Sequence, residues 1–334
     1  MDTLVTGGTG LLGNNVVRRL LERGQSVRVL MRQRSDSRPF DGLDVETVTT
    51  DIRNVDQVRR ACKGVDTVIH SAGWVHIGWS GGQMAREVNV TGTRNVAQAA
   101  QAASARMIHV STVNTLGIGA EDKPATEDSP RVGQVPCPYM VTKRLGEDIV
   151  RKGITQGLDA VIVHPGFMLG PWDWKPSSGR MVLAVTERFT PAAPRGGCSV
   201  CDVRDVADGI LLAIAKGRSG DNYILAGDNM TYFDFWKAIA RIAGTKGPSY
   251  RFGPFARILS GIYGRTVTAL GGREPDVNSA ALRVSMQYHY YDSGRAESEL
   301  GYRNRPAEEA IQSAWEWFQS HGYTSHGYIR SRAG

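Results

Sequence analysis

Residues 6–13 read TGGTGLLG, with glycines at 7, 10 and 13, and they follow the apolar run DTLVT without interruption. The next stretch, NNVVRRLLERG, places Val16, Val17, Leu20 and Leu21 on one helical face and closes at Gly24, which marks a helix end. A strand, a glycine turn and a helix in immediate succession leave few folds open. The glycines permit a tight turn, and they let backbone N–H groups approach a pyrophosphate at the helix N-terminus. A bare glycine loop is a weak signal, but this strand–turn–helix setting makes it a strong one.

The alternation continues. Strands are expected at SVRVLMR, VETVTTD, DTVIHSAG, RMIHVST and DAVIVHPG, and helices near 55–63, in NVTGTRNVAQAAQAA and in YMVTKRLGEDIVRK. Apolar strands joined through amphipathic helices imply a parallel sheet covered on both faces. The expected fold is α/β, a doubly wound parallel Rossmann sheet with a smaller C-terminal substrate domain. Beyond Gly166 the pattern turns irregular and rich in Pro, Gly and Trp. One helix-then-strand return, VADGILLAIAKG and NYILAG, interrupts it, and PAEEAIQSAWEWFQSHGY reads as a closing amphipathic helix. The expected division gives 1–168 plus 199–226 to nucleotide binding and 169–198 plus 227–330 to the substrate.

Composition limits the partners. The chain is 41% hydrophobic and 22% charged over 334 residues, as in a soluble globular protein. No apolar run is long enough for a transmembrane helix, and the N-terminus MDTLVTGG has no basic leader, so no membrane partner and a cytoplasmic location are expected. The net charge of +7 is spread along the chain. An anionic cofactor accounts for it, and no nucleic acid is expected. The cysteines are Cys62, Cys137, Cys198 and Cys201. CSVC has CxxC spacing, but with no second ligand pair beside it, reduced thiols and no metal site are expected.

The end of the second strand discriminates between nicotinamide cofactors. A carboxylate there would accept the ribose hydroxyls of NAD, whereas a cation would meet the 2′-phosphate of NADP. VRVLMRQR puts Met31 where the acid would stand, followed by Arg32 and Arg34. Arg32 can offer a bidentate, charge-assisted contact to a phosphate, or it can be a solvated arginine at a strand end. NADP is the expected cofactor and NAD the alternative.

Further along come Asp51-Ile52 after the third strand, HSAG at 70–73, NVTGT at 89–93, VSTVNTLG at 110–117, YMVTK at 139–143 and HPGFMLGP at 164–171. In this order, and over nearly the whole chain, these pieces resemble the extended short-chain dehydrogenase/reductase family. Stretches such as DVADGILLAIAKGRSGDNYILAGDNMT and ESELGYRNRPAEEAI resemble its dihydroflavonol-reductase-like branch, which includes proteins labelled hopanoid-associated sugar epimerases.

The resemblance implies an NADP-dependent oxidoreductase whose catalytic set is Thr112, Tyr139 and Lys143. A tyrosine four positions before a lysine means little alone, but the spacing puts both on one helix face. A free phenol, with a pKa near ~10, is a poor acid–base group at neutral pH, and a nearby ammonium is expected to lower it. By the family's pattern Lys143 also binds the nicotinamide ribose, while Tyr139 exchanges a proton with the substrate oxygen. Thr112, five residues before Gly117, stands at the place of the usual serine, with Ser111 as the fallback. A threonine hydroxyl can make the same hydrogen bond.

Cofactor contacts are implied at Gly7, Thr9, Gly10, Leu11 and Leu12 on the first loop, Arg32 at the ribose phosphate, and Asp51 and Ile52 at the adenine. Asp51 also reads as a helix N-cap. Ser71, Ala72 and Gly73 follow the fourth strand, Ser111 joins Tyr139 and Lys143, and Pro165, Gly166 and Phe167 offer backbone to the carboxamide. Asn89 is expected to brace the sheet, and His70 to pack beside the cofactor. Trp74, His76 and Trp79 either line the substrate site or anchor their loop.

Within this family one triad serves ketone reduction, sugar epimerisation and sugar dehydration. Trp172, Trp174, Phe252, Phe255 and Tyr263 suit an apolar carbonyl substrate, or are core aromatics. Arg251, Arg257, Arg265 and Arg273 either bind a diphosphate or coat the surface. The expected activity is reduction of a ketone or aldehyde, reversible to alcohol oxidation, on a small-molecule substrate. A nucleotide-sugar epimerase or dehydratase and a non-catalytic NADP-binding protein are the alternatives, and a homodimer is left open.

Overall fold

The computed structural model describes residues 2–187, 190–252, 274 and 278–324. Phe255, Arg257, Tyr263, Arg265 and Arg273 lie outside the described residues. The first half runs β1 (Thr3–Thr6), α1 (Leu11–Glu22), β2 (Val27–Met31), β3 (Glu46–Thr49), α2 (Val55–Ala61), β4 (Thr67–His70), α3 (Gly82–Arg86), α4 (Thr93–Ala102), β5 (Arg106–Val110), α5 (Pro138–Thr155) and β6 (Ala160–Pro165). A π-helical turn, Glu87–Gly92, joins α3 to α4. Then come β7 (Phe167–Leu169), α6 (Gly179–Glu187), β8 (Ala192–Pro194), β9 (Gly197–Asp202), α7 (Val203–Lys216) and β10 (Asn222–Leu225). The chain continues through β11 (Asp228–Thr231), α8 (Tyr232–Ala243), β12 (Tyr250–Phe252), α9 (Ser279–Ser285), β13 (Tyr288–His289) and α10 (Ala307–Ser320).

Seven strands form one parallel sheet in the order β10-β6-β5-β4-β1-β2-β3. This is a Rossmann-like α/β fold. Consecutive residues of each strand feed opposite faces, as the two-residue period requires. Val5, Val29, Ile69, Ile108 and Val163 pack with α1 and α7. Leu4, Leu30, Val68, Met107 and Ile162 pack with α2, α4 and α5. Each such side chain contributes about 1.5–3 kcal/mol when fully buried, so the strands are held from both sides. The strand order reverses between β1 and β4, and parallel sheets bind ligands outside the carboxyl ends of the strands at such a point.

A smaller unit stands over that edge. Its β9 pairs antiparallel with β11 and parallel with β7 and β13. A third core joins β7 and β9 to α6, α8 and α10 through Phe235, Ile239, Ile311, Trp315 and Phe318. Ala296, Leu300 and Tyr302 fold back into the core on the α1/α7 face.

Cys198 and Cys201 are both buried on β9, but three positions apart on a strand they face different cores. They are free thiols, and burial pushes both up, Cys198 to about 12. Among the described residues no cluster of His, Cys, Asp or Glu could hold a metal ion, and no helix is long and apolar enough to cross a membrane.

Candidate active site

The glycine loop is shaped by what it must not carry. Gly7 has φ +75, and a Cβ there would lie 2.6 Å from the Ala72 nitrogen. A Cβ on Gly13 would lie 2.2 Å from the Gly7 carbonyl oxygen. The loop after β1 is thereby packed directly on the segment after β4. Gly10 is the N-cap of α1 and makes no side-chain cap, so the first-turn amides from Leu11 and Leu12 onward are offered outward. Thr9 is half-buried beside them, and the Leu11 and Leu12 side chains anchor the turn in the core. An uncapped helix N-terminus behind a cradle without side chains fits a dinucleotide pyrophosphate.

The floor of the crevice is polar and tied. Thr6 Oγ1 accepts the Ala72 N–H at 3.1 Å and lies 2.8 Å from His70 Nδ1, while His70 Nε2 lies 3.0 Å from Thr93 Oγ1. His70 is a strut between β1, β4 and α4. Burial, with Lys143 adding, pushes its imidazole down to about 3. Ser71 and Ala72 are half-buried and Gly73 exposed along the crevice edge. Asn89, in the π turn, accepts the Trp74 N–H at 2.8 Å and donates to the Trp74 carbonyl and Thr142 Oγ1. It braces the segment after β4 against α5.

Arg32 is exposed at the end of β2, on the rim of a depression of about 350 Å³ that Ser35 and Ser37 also line. The Arg53 side chain holds the Asp51 carboxyl below its usual range, and the Arg32 charge adds to it. Asn54, accepting the Gln57 N–H, is the N-cap of α2, so Asp51 is not that cap. Ile52 packs under Gly92, and its carbonyl accepts Asn95 Nδ2 at 2.9 Å.

Thr112 lies close enough to Tyr139 for its side chain to act on the phenol. Thr112 Oγ1 accepts the Asn114 N–H at 3.3 Å. Lys143, one turn below Tyr139, donates from Nζ to the Val110 carbonyl at 2.7 Å. The sequence suggests that this ammonium lowers the phenol. In the structure burial prevails and pushes Tyr139 up to about 12, with the nearby Thr112 side chain opposing. Burial also brings Lys143 down to about 8, with Glu147 opposing. Burial therefore favours the neutral phenol of Tyr139 at neutral pH.

Ser111 faces away from this trio. Its hydroxyl donates to Glu147 Oε2 at 2.8 Å. Glu147, which the sequence reading passed over, has no exposed side-chain surface and pairs with Arg131 and Arg151. Its only signal is its spacing, since Tyr139, Lys143 and Glu147 recur every four residues on α5. Pro165 ends β6, the Gly166 N–H is taken by the Leu225 carbonyl at 3.1 Å, and the Phe167 ring stands edge-on to Phe235.

The aromatic candidates divide. Trp172 and Trp174 join Trp317 in a cluster on the third core, with the Arg18 guanidinium 3.3 Å over the Trp172 ring. They pack. His76 and the Trp79 amide bind the Glu274 carboxylate, and Trp79 Nε1 donates to Ser279 Oγ at 2.8 Å. They anchor their loop to α9. Ile77 of that loop packs with Tyr139, Met140, Ala280 and Val284, which makes the surroundings of the Tyr139 ring apolar.

The sequence pattern of the NAD dependent epimerase/dehydratase family matches residues 3–226. The chain belongs to that family. A protein of Synechocystis sp. that carries the name of a dihydroflavonol 4-reductase is 34% identical over 329 residues, covering 96% of this chain and 95% of that protein. Sterol demethylase protein B of Methylococcus capsulatus is 34% identical over 331 residues, covering 96% and 99%. Among solved structures, gox2253 superposes with a TM-score of 0.85 at 33% identity, covering 97% of this chain and 99% of that one. This member of the epimerase/dehydratase family is an NAD(P)-dependent oxidoreductase of the extended short-chain dehydrogenase/reductase type.

Proposed function

We propose that the protein reduces a ketone or aldehyde on a small, largely apolar substrate, with NADPH as the donor. The observation that carries this is the Tyr139 side chain, four residues before Lys143 on one helix and set in an apolar wall whose burial favours the neutral phenol. Gly7, Thr9, Gly10, Leu11 and Leu12 would hold the pyrophosphate and Asp51 and Ile52 the adenine side. Ser71, Ala72 and Gly73, together with the 165–167 segment, would border the nicotinamide half. Arg32, exposed and with no acid in its place on β2, would meet the 2′-phosphate. A bound nicotinamide cofactor supplies the hydride.

The side chains do the rest. The Thr112 hydroxyl orients the substrate oxygen, and Tyr139 passes its proton to that oxygen as negative charge develops there. Lys143 would supply positive charge beneath the phenol and stabilise the phenolate left when the proton has gone. Alcohol oxidation would need the phenolate at the start, so that direction should quicken as pH rises. Two relatives with reductase and sterol-related names, each about a third identical, support an apolar carbonyl substrate.

The test is a panel of apolar ketones, aldehydes and nucleotide sugars, with NADPH or NADH followed by nicotinamide absorbance. Reduction consumes NADPH in proportion to carbonyl. Conversion of a nucleotide sugar with no net change in cofactor would replace this reading with the epimerase or dehydratase one.

A further inference from the structure

Three side chains on successive turns of α5 hold the segment that leaves β5. Tyr139 meets Thr112, Lys143 Nζ holds the Val110 carbonyl at 2.7 Å, and Glu147 Oε2 accepts Ser111 Oγ at 2.8 Å and Thr115 Oγ1 at 2.7 Å. The Thr112 carbonyl is gripped in turn, lying 2.9 Å from Thr115 Oγ1 and 3.3 Å from His164 Nδ1. The side-chain hydroxyls of the turn that carries Thr112, those of Ser111 and Thr115, therefore both lead to one carboxylate.

That carboxylate is costly to keep where it is. With no exposed surface, an ionised Glu147 requires charged partners and filled lone pairs. It has both. Its other oxygen, Oε1, pairs with Arg131 and, at 2.9 Å, with Arg151. Burial alone would raise the group, but His164, Arg131, the Thr115 hydroxyl and Arg151 hold it at about 2. A bridge serving only the two arginines could sit at the surface, where such pairs normally lie. Here one oxygen is given wholly to the turn that carries Thr112.

The groups facing Lys143 are His70 from β4, His109 from β5, and Tyr139 and Glu147 from its own helix. Burial keeps both imidazoles neutral, so Glu147 is the anion among them. An opposite charge one turn away favours the ammonium over the amine.

We infer that Glu147 is a positioning residue for the triad: its carboxylate fixes the turn at 111–115 that presents Thr112 to Tyr139, and it stands one helical turn from the buried Lys143 as the anion that favours its ammonium. The inference rests on Thr112, Tyr139 and Lys143 carrying the chemistry.

Glu147→Gln keeps the shape and one acceptor for Ser111 and Thr115 while removing the charge. The direct readout is the titration of Lys143 in the whole protein, followed by NMR on lysine labelled with carbon-13 at Cε and assigned with Lys143→Met. The Lys143 midpoint should move down by about half a unit or more in Glu147→Gln. The alkaline limb of the kcat/KM profile on a carbonyl from the panel should follow it. In Ser111→Ala, which leaves the charge alone, the midpoint should hold while kcat falls about 10-fold with little change in KM, because a shifted hydroxyl costs orientation. If Glu147→Gln does not fold, Glu147→Asp withdraws the carboxylate by one methylene and should give a smaller shift of the same sign. A Lys143 midpoint that does not move in a folded variant overturns the inference. The titration needs no substrate, so a panel that finds no carbonyl turnover sinks the reductase reading while the NMR result still decides the role of Glu147.

Discussion

In the proposed mechanism Tyr139 contributes one hydroxyl, and its ring belongs to the apolar wall with Ile77, Ala280 and Val284. Tyr139→Phe should therefore leave folding and cofactor affinity intact and lower turnover by about 10²–10⁴-fold, the usual contribution of a positioned acid. Wild-type turnover in the variant would remove Tyr139 from the mechanism. Thr112→Ser keeps a hydroxyl and should keep most activity, whereas Thr112→Val should lose it, as steady-state rates on the same carbonyl will show. Arg32 is separable from both. Its guanidinium is exposed, so Arg32→Asp should not disturb the fold, yet it should weaken NADPH far more than NADH in binding titrations. Equal affinities in the wild type would make Arg32 a bystander. The Thr112, Tyr139 and Lys143 set could be proposed from the sequence because three residue types stood at motif spacing inside a recognisable strand–helix frame. Glu147 could not, because a glutamate four residues past a lysine reads as an ordinary helix-surface pair. Only burial by β5, β6 and the segment around Arg131 gives it a different meaning.

Elements were legible where their period was regular. β1, β4, β5 and β6 are short apolar runs, and α1, α4 and α5 carry an apolar stripe, so the parallel sheet follows from the pattern. The second sheet was not, because β7, β11 and β13 have only 3, 4 and 2 residues, and so short a strand has no period to detect. The clasp between the loop after β4 and α9 was equally hidden, since its partners lie nearly 200 residues apart. Glu274 accepts the amides of Trp79 and Ser80, at 3.0 Å and 2.8 Å, and contacts His76 Nε2 at 3.1 Å. Burial would raise that carboxyl, yet the Trp79 amide, Ser80 and His76 hold it below its usual range. This clasp keeps Ile77 against the Tyr139 wall. Glu274→Ala should free the 76–80 loop, raising KM for the carbonyl severalfold with a smaller change in kcat and speeding amide exchange in that loop. Unchanged exchange would mean that Trp79 and Ser279 hold the loop without it.

At the scale of the whole molecule, the sheet turns polar towards its carboxyl edge, where the candidate site is. His70 and His109 stand side by side in register on β4 and β5, and His164 lies near the end of β6. Neither ring nitrogen of His109 has a hydrogen-bond partner among the described residues. Burial keeps these imidazoles neutral, pushing His70 to about 3, His164 to about 4 and His109 well below its ordinary value; His289, on β13, falls to about 4. The unfolded chain takes up protons on all four as pH falls through about 6.5, while the folded chain does not until about 4. Stability is then highest above about 6.5 and is lost as pH falls through that window. Asp173 works the other way. Burial raises it to about 6, so the folded chain binds that proton first, but one carboxyl cannot offset four imidazoles. Below about 4.5 the loss deepens, since Glu147 stays ionised to about 2 in the fold. Thermal unfolding followed by circular dichroism should give a flat Tm between about pH 7 and 8 and a steep fall below about pH 6. His109→Leu should soften that fall by about one proton's share, with no comparable loss at neutral pH because no hydrogen bond is broken. A wild-type Tm that stays level down to about pH 5 would show that the fold accommodates charged imidazoles at the carboxyl edge of its sheet.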